Sequence, residues 1–202
     1  MSSRIKNIVF DIGNVLVRWA PHEAIQFIFP EQDPECFFQQ LRPIWLELNL
    51  GKLSEEQAVN LYHTQLNLPK DKLIDLMLKF KTLQTPIPGS LELLQKLQTL
   101  DFSLYSITDN VKEIMDYHHR ERSAFLPFFK GIISSADVGI LKPDRKIFQY
   151  ILNKYELVAA ESIFIDDLIK NVEGARAVGM KAILFTDIES CKKELIKLGV
   201  QV

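Results

Sequence analysis

The sequence predicts an α/β fold: a Rossmann-like parallel sheet with helices on both faces, plus a small all-helical cap inserted after the first strand. Three observations carry that prediction. Short apolar runs rich in β-branched and aromatic residues alternate with helical patterns over most of the chain, the signature of strand–helix–strand units. Residues 18–87 break the alternation with several helical patterns and no convincing strand. Asp11, Thr108 and Asp166 each stand at the C-terminal end of an apolar run, where open parallel sheets bind their ligands.

In chain order, the first strand is predicted over residues 5–10. The interrupting segment then reads as helices over PHEAIQFIF, ECFFQQLRPIWLEL, SEEQAVNLYHTQL and KDKLIDLMLKFKTL. Ser54 and Gln57 have the spacing of a capping box that starts the third of these. Pro86, Pro88 and Gly89 punctuate the return to the alternating part. There SLELLQKLQTL leads into a strand over residues 102–107, and a weaker strand follows over residues 131–134. The helical DRKIFQYILNKY precedes a strand over residues 163–165, and NVEGARAVGM precedes one over residues 181–185. The expected division is a core domain of residues 1–17 and 88–202 and a helical cap of residues 18–87.

Composition removes several classes of function. With 202 residues, 47% of them hydrophobic, the chain can bury a sizeable core without staples. Cys36 and Cys191 are far apart and match no metal or redox spacing, which favours a reducing compartment. The first apolar run is short and broken by Asp11, so neither a signal peptide nor a membrane span is expected, and the expected location is cytoplasmic. A net charge of −2 gives no basic character to attract phosphate backbones, and Lys192, Lys193 and Lys197 read as a solvated helix face. Neither nucleic acid nor a membrane is expected as a partner, and the chain is expected to be a monomer or homodimer.

The chemistry-bearing residues cluster at the predicted strand ends. Asp11 precedes Gly13, so its carboxylate should leave the strand into a turn, where it can serve as nucleophile or metal ligand. Thr108, in LYSITDN, is followed by Asp109, Asn110 and a helix start, and helix N-termini favour anions. Lys142, in GILKPD, is placed to neutralise a nucleophile and a phosphate together. Asp166 and Asp167 are adjacent carboxylates, which repel each other unless a cation compensates. Magnesium takes one or two carboxylates plus waters, which Asp11 and Asp167 would supply while Asp166 and Asn171 orient them. Arg18, Trp19, His22 and Trp45 are candidates for substrate contact, although packing or surface roles are the commoner fate of such residues. His118 and His119, beside Arg120, read as a solvated helix face.

Read together, IVFDIGNV, LYSITDN, GILKPD and IFIDD with Asn171 resemble the four motifs of the haloacid-dehalogenase-like superfamily, in order and across nearly the whole chain. The nearest likeness is to the subgroup with a D-x-G-N-V first motif and a helical cap, which includes bacterial sugar-phosphate phosphatases such as α-D-glucose-1-phosphate phosphatase. The second motif can be aligned on Ser106 or Thr108; in relatives the hydroxyl stands seven residues after a turn residue, here Asp101, which selects Thr108. The resemblance implies a magnesium-dependent phosphatase acting on a small phosphorylated metabolite, such as a sugar phosphate, through an aspartyl phosphate on Asp11. Its implied site has Thr108, Asp109, Asn110 and Lys142 toward the substrate, and Asp11, Asp166, Asp167 and the main-chain carbonyl of Gly13 toward the metal.

One departure matters. Most family phosphatases carry a second Asp two residues after the nucleophile as acid and base, and here Gly13 occupies that position. Positioned acid–base help is worth about a hundred- to ten-thousand-fold in rate. The expected substrates are therefore those whose leaving groups need little protonation. Two alternatives remain open on sequence: a 2-haloacid dehalogenase, in which Asp11 attacks carbon, and a catalytically weak relative that only binds a phosphorylated ligand.

Overall fold

The structure is a computed structural model that describes residues 4–121 and 123–202. The first three residues of the expected core segment lie outside the described ones. Five strands form one parallel sheet: β1 (Asn7–Phe10), β2 (Ser103–Thr108), β3 (Gly131–Ser134), β4 (Ser162–Asp166) and β5 (Lys181–Leu184), in the order β3-β2-β1-β4-β5. The two-residue period of the strands sorts their side chains between two cores. Ile8, Phe10, Ile163 and Ile165 pack with Leu93, Leu94 and Leu97 of α5 (Ser90–Thr99) and with Cys191 and Leu195 of α10 (Ile188–Lys197). Val9 and Phe164, pointing the other way, pack with Phe148 and Ile151 of α8 (Arg145–Lys154) and with Val172 and Ala175 of α9 (Ile169–Arg176). Helices thus cover both faces, and all five strands run their C-terminal ends to one edge.

Four helices stand between β1 and α5: α1 (Pro21–Ile28), α2 (Pro34–Asn49), α3 (Glu55–Leu66) and α4 (Lys70–Thr82). The capping box at Ser54 and Gln57 is present, with Ser54 Oγ accepting from Gln57 N and Gln57 Oε1 from Ser54 N. These helices form the all-helical cap and pack around a second core that includes Ile25, Phe29, Phe37, Leu41, Trp45, Tyr62, Leu73, Leu76 and Phe80, joined by Val111 and Ile114 from beyond the cap. The chain enters and leaves the cap on adjacent segments: Arg18 N donates to Thr85 O at 2.8 Å and Ile87 N to Leu16 O at 2.8 Å. At the far side the turn after α2 rests on α7 (Ser135–Val138). A Cβ on Gly51 would lie 2.1 Å from Ala136 O, so only glycine permits that approach, and its φ of +68° also favours glycine.

The helix α6 (Lys112–Arg120) corrects one expectation. His119 is exposed, but His118 is buried at 2% exposure, because residues 114, 115 and 118 share the inward face of the helix. Gln84 donates Nε2 to Phe80 O, so its Oε1 faces His118 Nε2 at 2.9 Å, and that nitrogen carries the proton. His118 Nδ1 then accepts from Ser123 Oγ at 2.8 Å. Burial, followed by the neighbouring His119, pulls His118 down from its ordinary 6.5 to about 4. The unfolded chain therefore takes up this proton well before the folded one. The stability owed to His118 is complete above pH 6.5 and declines as pH falls toward 4, by about 2 kcal/mol at pH 5. Urea unfolding at pH 7.5 and pH 5 should show this extra loss in the parent and not in His118→Gln; an equal loss in both would contradict it.

Candidate active site

The edge formed by the strand ends carries the acidic residues. Asp11 follows β1 directly, with its amide held by Ile165 O at 2.9 Å. Asp166 is the last residue of β4, Asp167 follows it, and Thr108 is the last residue of β2. β1 lies between β2 and β4 in register, so the sheet itself brings these residues side by side.

Lys142 is buried among them. Its Nζ lies 2.9 Å from Asp11 Oδ1 and 2.7 Å from Asp166 Oδ2, and it also donates to Ile107 O at 3.3 Å. Burial disfavours its charge, but Asp11, Asp166 and Asp109 together outweigh that cost, and the ammonium is held more firmly than usual. For Asp11, burial comes first and raises the carboxyl to about 7; Lys142 pulls it down and Asp166 pushes it up. The two shifts of this pair point opposite ways as regards ionisation of Asp11. The geometry reconciles them: Asp166, the closer partner at 2.7 Å, holds the ammonium charged whether or not Asp11 has lost its proton.

Both oxygens of Asp166 are occupied. Oδ1 accepts from Leu168 N and Asn171 Nδ2, and Oδ2 from Lys142 and Asn171 Nδ2. Asp167 is half-buried and receives Asn14 Nδ2 at 3.2 Å. Its carboxyl is raised above the ordinary range by burial, with Asn14 lowering it and Asp166 adding repulsion. One oxygen each of Asp11, Asp166 and Asp167 lies within 4.8 Å of the others, a geometry suited to a divalent cation. Asn171, which lines the same space, has its Oδ1 buried and without a partner among the described residues, an orphaned acceptor beside the acidic cluster.

A cavity of about 280 Å³ lies over these groups. Asp11, Gly13, Thr108, Asp109, Asn110, Lys142 and Asp167 line it from the core, and Trp19, Trp45 and Asn49 close it from the cap side, with Gln84 at the returning linker. Thr108 Oγ1 has no hydrogen-bond partner among the described residues, although the residue is buried. Asn110 also lines the cavity, but its amide donates to Ser135 Oγ and its Oδ1 accepts from Val111 N, so its polar groups serve the turn. Trp19 and Trp45 stack with centroids 5.5 Å apart, and Phe80 lies against both. Arg18 and His22 turn away from the cavity: Arg18 pairs with Glu23, and His22 stands 3.1 Å from Glu35.

Asn14 and Asn49 line the cavity although the sequence assigned neither a role. Asn14 takes a left-handed turn at φ 54°, which asparagine tolerates, and links Asp167 to Trp19 N, the latter through its Oδ1 at 3.0 Å. Asn49 has its carbonyl fixed by Ser135 Oγ at 2.6 Å, while its own Oδ1 is buried and unpartnered. Asn14 belongs to the D-x-G-N-V motif, which was the signal that could have found it; Asn49 offered none.

The haloacid dehalogenase-like hydrolase family model matches residues 8–185. The sesquiterpene phosphatase of Aspergillus oryzae is 28% identical over 199 residues, covering 98% of each chain. Flavin mononucleotide hydrolase 1 of Arabidopsis thaliana is 25% identical over 201 residues, covering 96% of this chain and 78% of its own. A haloacid dehalogenase family enzyme of Bacteroides thetaiotaomicron, solved in complex with magnesium and inorganic phosphate, has the same fold at a TM-score of 0.74 and 20% identity, covering 93% of this chain and 98% of its own.

Proposed function

The chain belongs to the haloacid dehalogenase-like hydrolase family, and we propose that it is a magnesium-dependent phosphatase that forms an aspartyl phosphate on Asp11. The observation that carries this reading is Lys142, whose single buried ammonium bridges Asp11 and Asp166 beneath a cavity edged by Asp167 and Thr108. Magnesium would be held by Asp11 and Asp167, with the Gly13 carbonyl beside them and Asp166 and Asn171 behind, and when bound it would neutralise phosphate charge. Asp11 attacks phosphorus in line with the leaving oxygen. Lys142 and the free hydroxyl of Thr108 hold the equatorial oxygens, positions fixed before the substrate arrives. Water then opens the aspartyl phosphate.

The proposed substrate is the phosphate monoester of a small neutral alcohol. Among the described residues Lys142 is the only cationic one lining the cavity, so none of those on the cap side would pair with a second anionic group. A sugar phosphate is the first candidate, because the carboxamide of Asn49 lines the cavity and suits a hydroxyl partner. The stacked indoles of Trp19 and Trp45 favour an apolar alcohol as the second, in keeping with the terpenoid substrate class named for the Aspergillus relative.

The deciding experiment measures phosphate release from hexose phosphates, prenyl phosphates and an aryl phosphate, and halide release from haloalkanoic acids, with magnesium and with a chelator. Phosphate release that needs magnesium is the expected result. Metal-independent halide release, or no phosphate release from any ester, would overturn the proposal.

A further inference from the structure

We propose that Asp109 is the general acid and base of this site, giving a proton to the leaving oxygen and later taking one from the attacking water. The inference rests on the phosphatase reading above and answers the question raised by Gly13.

Three carboxylates line the cavity: Asp11, Asp109 and Asp167. Asp11 is engaged by Lys142 and Asp167 by Asn14 beside the cation position. Asp109 has no part in either task. Its Oδ1 accepts from Lys142 N at 3.0 Å, which fixes the carboxyl to the segment that carries the ammonium. Its Oδ2 has no hydrogen-bond partner among the described residues, and the residue is half-buried. One oxygen is thus anchored and the other is left to the cavity.

The strand register puts that carboxyl where a leaving group belongs. Phe10 pairs with Ser106, so Asp11 lies one residue beyond the pair and Asp109 three beyond it. Asp109 thus follows the end of β2 and lies further along the strand direction than Asp11. In an in-line displacement the leaving oxygen departs on the side of phosphorus opposite the nucleophile. Asp109 and the cap residues Trp19, Trp45 and Asn49 line the same cavity as Asp11, and a leaving group directed away from Asp11 toward the cap would pass them. The usual acid position offers no competitor, because a side chain at residue 13 would meet little more than Trp19 Cβ at 3.7 Å, and glycine leaves that space open.

The surroundings also suit a group that must be protonated in one step and ionised in the next. Burial raises the Asp109 carboxyl above its ordinary value; Lys142 draws it down, Asp166 pushes it up and Lys170 draws it down slightly. A raised carboxyl is the direction a proton donor needs. In the first step Asp11 bonds to phosphorus, the bond from phosphorus to the leaving oxygen breaks with its electron pair on that oxygen, and the Asp109 proton moves to it. In the second, ionised Asp109 takes a proton from water, whose oxygen bonds to phosphorus as the phosphorus–Asp11 bond breaks. Phosphate leaves, and both carboxyl groups return to their starting states.

Asp109→Asn keeps an oxygen for Lys142 N and removes only the titrating group. With magnesium, its turnover of an alkyl phosphate should fall about 10²–10⁴-fold. With an aryl phosphate, whose leaving group needs no proton, it should still release a burst of phenol equal to the enzyme present and then slow, because water attack lacks its base. Adding Gly13→Asp to Asp109→Asn should recover alkyl phosphate turnover. Parent-like turnover of both esters by Asp109→Asn would overturn the proposal, as would loss of turnover with no aryl burst and no recovery by Gly13→Asp. A parent protein inactive on every ester would instead overturn the phosphatase reading itself.

Discussion

Asp11→Asn is expected to lower phosphate-ester turnover by roughly 10⁴-fold or more, since removing a nucleophile forfeits a whole covalent route rather than one contact. The fold should survive the change. Asp11 lies past the end of β1, its amide bond to Ile165 O is made by the backbone, and Asn can still accept from Lys142. Without a cation the variant should be more stable than the parent above neutral pH. Burial raises the parent's Asp11 carboxyl to about 7, so folding costs stability as pH rises from the ordinary 3.8 through that value, and Asn has no such cost. The order should reverse with magnesium. A cation at a hundred times its dissociation constant stabilises the parent by about 2.7 kcal/mol, or roughly 5–10 °C in melting temperature for a chain of this size. Thermal unfolding of both proteins with and without magnesium measures this. An equal magnesium shift in the two would remove Asp11 from the cation site, and retained turnover would remove it from the chemistry.

Such a gain of stability on removing a functional carboxylate reflects how the site was legible in the sequence. Asp11, Thr108 and Asp166 stood out because an apolar period-two run stops at each of them, and a desolvated carboxylate at a strand end has no packing purpose. The residues that complete the site had no such signature. Asn14 reaches Asp167 across 153 positions, Ser135 fixes Asn49 across 86, and His118 meets Gln84 across 34. Those contacts exist only after the sheet and the cap have come together. His118 was legible as a helix residue but not as a buried one, because His119 and Arg120 beside it suggested a solvated face while its acceptor lay on the returning linker. Arg18 and His22 took the surface role that is the commoner fate of such residues, since their local partners Glu23 and Glu35 hold them away from the cavity.

Lys142→Met should be the most destabilising change in the site as well as an inactivating one. Methionine fills the volume but leaves Asp11 and Asp166 facing each other, where the parent has contacts of 2.9 and 2.7 Å to one ammonium. Removing one partner from a buried ion cluster costs about 3–5 kcal/mol, a large part of the roughly 5–15 kcal/mol that holds an ordinary domain together. The cost should be greatest at high pH, because a carboxyl facing another carboxylate without the lysine takes up a proton more readily in the folded state than in the unfolded one. Asp166→Asn in the same background removes the repulsion and keeps the bond to Leu168 N, so it should recover much of the lost stability, a coupling that a double-mutant cycle in urea measures directly. Turnover should not return with it. The ammonium would still be missing from the equatorial oxygens, a loss on the order of 10²–10³ in rate. Recovery of both properties together would mean that Lys142 serves only to neutralise Asp166; recovery of stability alone would assign it to the phosphoryl group.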